Sequence, residues 1–424
     1  MDTVTTNNYS FLEAGHFIGY KSIEVLEVHL KRGMNLIIGQ NGSGKSNFLE
    51  LVEEVLMSAG PYNGTKFKQA SLTFHTKDEK DLVYEVTRNI QKHSQEIDYD
   101  LEERETLILQ RLTFDGQEIF ATNNDELNRN SFKNYRRRFG RSPSSLISFF
   151  AGFSPVPLHI KFSIPESMPG IDSAGSIKIP IASEDDFWDT DMFTSFLWRL
   201  VNTAEMKFHA EFYKNNEPSD RPTVLTEEQE KENLDKFLIE ALQQGRLYEM
   251  LVIDEDIVDN LRKFSPIQDI RFNRNLNVFH DDRRIVVENI KLEFSVNNTW
   301  LPWSQMSDGT KRMFYLISEV TYKKDGIILI EEPEIGIHPH QFDLIMQFLK
   351  EQSGYKQFII STHSPKALDH LNSDELDKIL IAKYVGGVGT VLNNLDEVQI
   401  EKAKAYMNEV GFLSDYWLMS DLEG

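Results

Sequence analysis

Gly39-Gln40-Asn41-Gly42-Ser43-Gly44-Lys45-Ser46 is the stretch that decides how this chain is read. It fits G-x-x-x-x-G-K-[ST], a loop whose backbone N–H groups surround phosphates. Its flanks matter as much as the match. Met34-Asn35-Leu36-Ile37-Ile38 ahead of it reads as a short buried strand, and Asn47 to Leu56 behind it carries apolar residues at helical spacing. Strand, glycine loop and helix together aim backbone N–H groups and a helix N-terminus at an anion. Gly39, Asn41, Gly42, Ser43, Gly44, Lys45, Ser46 and Asn47 form the expected nucleotide-binding set. Within it, Lys45 reaches the β and γ phosphates and Ser46 ligates Mg²⁺, so ATP and Mg²⁺ are the expected cofactors.

Ile327-Ile328-Leu329-Ile330-Glu331-Glu332-Pro333-Glu334 is an apolar run that ends in carboxylates. A parallel strand buried on both faces has this composition. Acids at its C-terminal end would stand where open α/β sheets bind ligands. Glu331 is the candidate Mg²⁺ ligand, through water, and Glu332 the candidate base that orients or activates the attacking water. Gln357-Phe358-Ile359-Ile360-Ser361-Thr362-His363 is a second such strand, with His363 placed to hydrogen-bond the γ-phosphate. Ser307-Asp308-Gly309-Thr310-Lys311-Arg312 opens an apolar helix. Ser307 reads either as a helix cap or as part of a second anion-binding helix N-terminus.

Length and composition set the outer bounds. With 424 residues the chain has room for a large core and two or three domains. There are no cysteines, which excludes disulfides, thiolate zinc sites and cysteine nucleophiles. No apolar run approaches the roughly 18 residues of a membrane span, and Met1 to Ser10 has no signal-peptide pattern. A cytoplasmic protein with no membrane attachment is expected. The net charge of −22 disfavours nucleic acid as a general surface partner. Screening over about 8 Å still leaves local basic patches able to act. Lys133, Arg136, Arg137, Arg138 and Arg141 make the first such patch, and Arg271, Arg274, Arg283 and Arg284 the second.

Residues 1–150 read as the first half of a nucleotide-binding head, with the glycine loop and a lobe of alternating strands between 70 and 122. Residues 151–284 read as a largely helical insertion, from the three- and four-residue apolar spacing in 187–214 and 226–264. Residues 285–424 complete the head, with strands returning at Ile285. The apolar tail from Val410 to Leu418 is expected to dock on the core. His280-Asp281-Asp282 beside Arg283-Arg284 is read as a charged turn rather than a metal-nuclease cluster.

The order of these motifs resembles the ABC-type ATPases of the SMC, RecF and OLD kind, within the AAA family. Among them it is similar to the stand-alone ATPases of bacterial anti-phage defence systems of Septu or PARIS type. The resemblance covers roughly 11–60 and 285–370. It rests on a Walker A loop at Gly39 to Ser46, a signature at Ser307 to Arg312, a Walker B strand at Ile327 to Glu332, a D-loop-like segment at Glu334 to Pro339 and a switch histidine at His363. It implies an α/β fold: an ABC-type P-loop ATPase head with an antiparallel β lobe and a helical insertion. It also implies heads that close as a dimer on two ATP molecules, with Ser307 and Gly309 of one copy touching the γ-phosphate held by the other. Two positions depart from the pattern. Glu331 stands where aspartate is usual, and Met306 and Asp308 stand where leucine and serine are frequent. Neither Gln69 nor Gln110 sits in a convincing Q-loop frame.

The resemblance implies a homo-oligomer built on ATP-dependent head dimers, with the insertion holding a separate effector such as a nuclease. The stretch after His363 is too short for an appended nuclease domain. The alternative is a DNA-repair or chromosome-maintenance ATPase that binds duplex DNA across its dimerised heads.

Overall fold

The computed structural model describes residues 8–58, 66–90, 106–121, 143–161, 171–180, 253–281 and 284–420. In chain order the strands are β1 (Phe11–Tyr20), β2 (Ile23–His29), β3 (Met34–Ile38), β4 (Gln69–His75), β5 (Asp81–Ile90), β6 (Thr106–Phe114), β7 (Gln117–Ala121), β8 (Leu158–Ile160) and β9 (Gly175–Pro180). They continue as β10 (Ile267–Phe272), β11 (Asn277–Asp281), β12 (Arg284–Ile290), β13 (Leu292–Val296), β14 (Thr299–Pro302), β15 (Ile327–Glu331), β16 (Gln357–Thr362), β17 (Ile379–Val385) and β18 (Gly389–Asn394). The helices are α1 (Lys45–Ser58), α2 (Pro143–Ala151), α3 (Glu255–Phe264), α4 (Asp308–Tyr322), α5 (Pro339–Gln352), α6 (Glu397–Glu409) and α7 (Leu413–Met419). They fall into two compact units, 1–162 with 323–424, and 163–322.

In the first unit the described strands form one sheet, in the order β7-β6-β5-β4-β1-β2-β18-β17-β3-β16-β15-β8. One half, from β7 to β2, is antiparallel. The other half, β17-β3-β16-β15-β8, is parallel. Burial follows this division. β4 alternates between buried and partly exposed positions, whereas every residue of β3 and β16 is buried. A strand covered on both faces must be apolar nearly throughout. Gln357 at the start of β16 is satisfied: it accepts from Leu12 N–H at 2.9 Å and donates to the carbonyls of Leu12 and Lys31 at 2.8 and 3.0 Å, locking β1 to β16. The apolar side chains of α1, among them Phe48, Leu51, Val52 and Val55, join one core cluster with Leu12, Phe17, Leu72, Phe74 and Tyr84 of the antiparallel half and Leu329 and Ile359 of the parallel half.

The parallel register brings three strand ends level. Ile38 lies opposite Thr362, and Ser361 opposite Glu331. The chain therefore leaves β3, β16 and β15 side by side, at the edge where open α/β sheets bind ligands.

The second unit holds two three-stranded sheets, β10-β13-β14 and β11-β12-β9. α3 begins at the Asp254 cap and buries Ile257, Leu261 and Phe264. Its Asn260 donates to Thr321 of α4 at 3.0 Å. Phe294, Trp303 and Phe314 pack ring to ring, with Phe294 and Phe314 centroids 4.9 Å apart. Strands β8, β9, β10 and β11 precede the Ile285 at which the sequence predicts that strands return, and in β10 Ile267, Ile270 and Phe272 supply a buried strand face. Of the two helical stretches read in 187–264, Glu255–Phe264 is described as helix, and the remainder of both lies outside the described residues up to residue 252. No helix among the described residues is long and apolar enough to cross a membrane.

Candidate functional site

The loop between β3 and α1 is held open by what its glycines omit. A Cβ on Gly44 would lie 2.0 Å from Thr390 Oγ1, and its φ of +96° is one that other L residues rarely adopt. A Cβ on Gly39 would lie 2.2 Å from the Ala382 carbonyl oxygen. β17 and β18 thus press against the loop backbone and shape it. From the other side, Asn47 donates to Ser22 Oγ at 2.7 Å, and the Ser22 and Thr390 hydroxyls pair at 2.7 Å. Lys45 is 4% exposed. Its ammonium folds back onto its own loop, donating to the carbonyls of Gly39 at 2.7 Å and Gln40 at 3.0 Å. The buried Ser43 hydroxyl has no hydrogen-bond partner.

Across from the loop, Glu332 takes a left-handed backbone, φ +46°, anchored by its N–H to the Ser361 carbonyl at 2.8 Å. A non-glycine residue held there costs on the order of 1–3 kcal/mol, a strain met at functional sites as well as in turns. The kink turns its carboxylate onto His363 Nε2 at 2.7 Å, while His363 Nδ1 lies 3.3 Å from Lys45 Nζ. Glu334 ties the strand ends together: one carboxylate oxygen accepts from Thr362 Oγ1 at 2.8 Å and from the N–H groups of His363 at 2.6 Å and Ser364 at 3.2 Å.

These groups surround a cavity of about 330 Å³ lined by Ser22, Asn41, Gly42, Gly44, Lys45, Ser46, Asn47, Glu332, His363 and Tyr384. Eight of the residues expected from the sequence are thereby brought together. Gly39 and Ser43 belong to the same loop behind the lining, and Ser307 and Gly309 belong to the other unit. There Ser307 is exposed, and its hydroxyl accepts from Thr310 N–H at 3.2 Å as the cap of α4. Ser22 and Tyr384 were not foreseen; they reach the cavity from β-turn and hairpin positions that carry no local motif. Neither Gln69 nor Gln110 lines it among the described residues.

Glu331 is not among the lining residues; its Oε1 lies toward His159 on β8. His159 Nε2 lies 2.9 Å from Glu331 Oε1, and His159 Nδ1 lies 2.6 Å from Glu53 Oε2 on α1. The first contact has the length of an ion pair, but the N–H is not well aligned on the oxygen. Burial, the largest influence on the imidazole, works against its charge, yet the contacts with Glu331 and Glu53 prevail and raise its pKa. The bond from His159 correspondingly holds Glu53 below the usual carboxylate range. With Ser46, Glu331 and Glu332 the donors near the loop are hydroxyl and carboxylate oxygens, a set that suits a hard cation such as Mg²⁺.

A larger cavity, about 800 Å³, lies in the second unit. Arg262 beside it pairs with Asp259 and Asp269, both at 3.2 Å, and Arg271 pairs with Glu293 at 2.7 Å and stacks over Trp300. Arg271 of the second basic patch is thus committed locally. The first patch lies outside the described residues.

Residues 34–369 match the family described as AAA domain, putative AbiEii toxin, Type IV TA system. The chain is similar to the retron Ec83 probable ATPase of Escherichia coli, 22% identical across 90% of this chain and 75% of that protein. It is also similar to the retron Vc95 probable ATPase of Vibrio cholerae, 21% identical across 82% of this chain and 68% of that protein. Among solved structures it resembles the Smc head domain of Pyrococcus furiosus bound to the C-terminal domain of ScpA. That likeness has a TM-score of 0.50 and 15% identity, and covers 95% of this chain and 99% of the other. The fold is that of an ABC-type P-loop ATPase head.

Proposed function

The chain belongs to this AAA-domain family, and from that premise we propose that it is an ATP-binding and ATP-hydrolysing subunit of an anti-phage defence complex. The observation that carries the reading is the meeting of Lys45, Glu332 and His363 within hydrogen-bonding distance at the ends of neighbouring parallel strands.

The geometry supports the following roles. The loop N–H groups and the N-terminus of α1 receive the phosphates. Lys45 exchanges its carbonyl partners for phosphate oxygens, a gain because a charge-assisted bond to an anion is about twice as strong as one to a neutral acceptor. Glu332 takes the proton of the attacking water, and His363 orients that carboxylate and reaches the γ-phosphate. Ser46, and Glu331 through water, would hold Mg²⁺, which would supply charge neutralisation to the phosphates. Ser307 and Gly309 of one copy touch the γ-phosphate held by a second copy, so that ATP binding drives head dimerisation. The insertion read at 151–284 holds a separate effector, a nuclease by the resemblance of the motif set.

The test is the mass of purified Glu332→Gln protein by light scattering, with and without Mg-ATP, after co-expression with its neighbouring reading frame. The expected result is an ATP-dependent doubling of mass with the neighbour retained. A variant that hydrolyses ATP at the parental rate would remove Glu332 from its role.

A further inference from the structure

Beside the nucleotide cavity runs a buried charge line that the phosphate loop does not use. The His159 side chain is 2% exposed and stands between Glu53, on the helix that begins with Lys45 and Ser46, and Glu331, at the end of β15. It is delivered by β8, a three-residue strand paired in parallel with β15, with His159 opposite Leu329. Leu329 and Glu331 alternate onto one face of β15, and Leu329 shares the core cluster of α1. His159 therefore fills the seam where helix and strand meet. Lys161, also on that side of the chain, approaches Glu50 of α1 at 3.7 Å.

Stability alone does not account for an imidazole at this point. Replacing a buried ion pair by apolar groups of similar volume is often neutral or stabilising. Leu329 and Val52, both fully buried, are the apolar neighbours in the core cluster beneath this charge line. What an imidazole provides is two opposed nitrogens that can hold two carboxylates at once. Glutamate at the end of β15 has one more rotatable bond than aspartate and needs restraint to keep its carboxylate in place.

We infer that His159 is a positioning residue, which fixes the Glu331 carboxylate against α1 so that Ser46 and Glu331 keep one geometry toward the cation. The inference rests on the ATP–Mg²⁺ reading proposed above. Loss of groups that hold a metal ligand in place typically weakens metal binding about 10- to 100-fold.

The experiment measures the affinity of N-methylanthraniloyl-ATP for the full chain in EDTA and across a Mg²⁺ titration. The proteins are the parent, His159→Ala, His159→Gln, Glu331→Gln and the double variant His159→Ala/Glu331→Gln. His159→Ala is expected to leave affinity in EDTA within about twofold of the parent and to raise the Mg²⁺ concentration needed for tight binding about 10- to 100-fold. His159→Gln, whose amide still donates, recovers much of that loss, and it carries the test if the alanine variant does not fold. In the double variant, His159→Ala adds no more than about twofold to the effect of Glu331→Gln. Equal losses in EDTA and in Mg²⁺ would assign His159 to packing alone and overturn the inference, as would an unshifted Mg²⁺ requirement or full multiplicative effects in the double variant. A parent that binds no analogue in either condition overturns the proposed function and this inference with it, a pattern distinct from a binding parent with unshifted variants.

Discussion

Lys45 is bound to two carbonyls of its own loop and lies close to His363. On the proposed function, its removal takes away the motif's side-chain cation for the phosphates. Bonds to charged groups contribute about 1.5–3 kcal/mol each, so Lys45→Ala should weaken ATP binding by about 100-fold or more, measured by calorimetric titration. Glu332→Gln should retain ATP and lower the turnover number by about 10²–10⁴, the span of general acid–base contributions. Gly44→Ala tests the cradle: its methyl would collide with Thr390, and the loop would shift or the protein lose more than about 1 kcal/mol of stability. Thermal unfolding and analogue binding should both register that change.

At the scale of elements, short polar joints hold the parallel half around the site. The C-terminal end of α5 is fastened by Lys350 to Glu375, which also accepts from Lys378 at 2.7 Å and from Asn372 N–H at 3.0 Å. Burial alone would push the Glu375 carboxyl up, but these donors bring it down to about 2. The sign follows: the contribution is complete above the unfolded value of about 4.3 and is lost as pH falls from there toward about 2. Glu375→Gln should therefore cost about 3 kcal/mol at pH 7, and the gap to the parent should narrow across that acid window in denaturant titrations. α7 follows a similar logic. Leu413 and Trp417 are buried, and Ser414 donates twice to Asp369 at 2.8 Å, so the aromatic tail docks on the core by one face. Strand β8 carries His159 between Glu53 and Glu331 although no local pattern in Leu158-His159-Ile160 announces it.

At the scale of the whole molecule, assembly is the open consequence of the head fold. Ser307→Arg removes a helix cap worth about 1 kcal/mol, too little to unfold a domain of this size. It should leave ATP binding intact and abolish the ATP-dependent rise in mass seen by light scattering. A variant that still assembles would refute contact in trans through Ser307. The phosphate loop, the two strands that end at Glu331 and His363, and the head fold were legible in the chain because each is a local pattern. A buried parallel strand must be apolar, and a phosphate cradle must have glycines and a lysine at set spacing. Strand order was not legible, and neither was the register that sets Ile38, Thr362 and Glu331 near one another. Nor did the sequence reveal the approach of Thr390 to Gly44, the reach of Ser22 and Tyr384 into the cavity, or the Glu53–His159–Glu331 line. Those depend on side chains separated by tens to hundreds of residues, and no periodicity encodes such pairings. By itself the sequence determined which residues could meet a phosphate. Only the tertiary structure decided which side chains hold those residues in place, because packing and hydrogen bonding act between elements and leave no mark within any one of them.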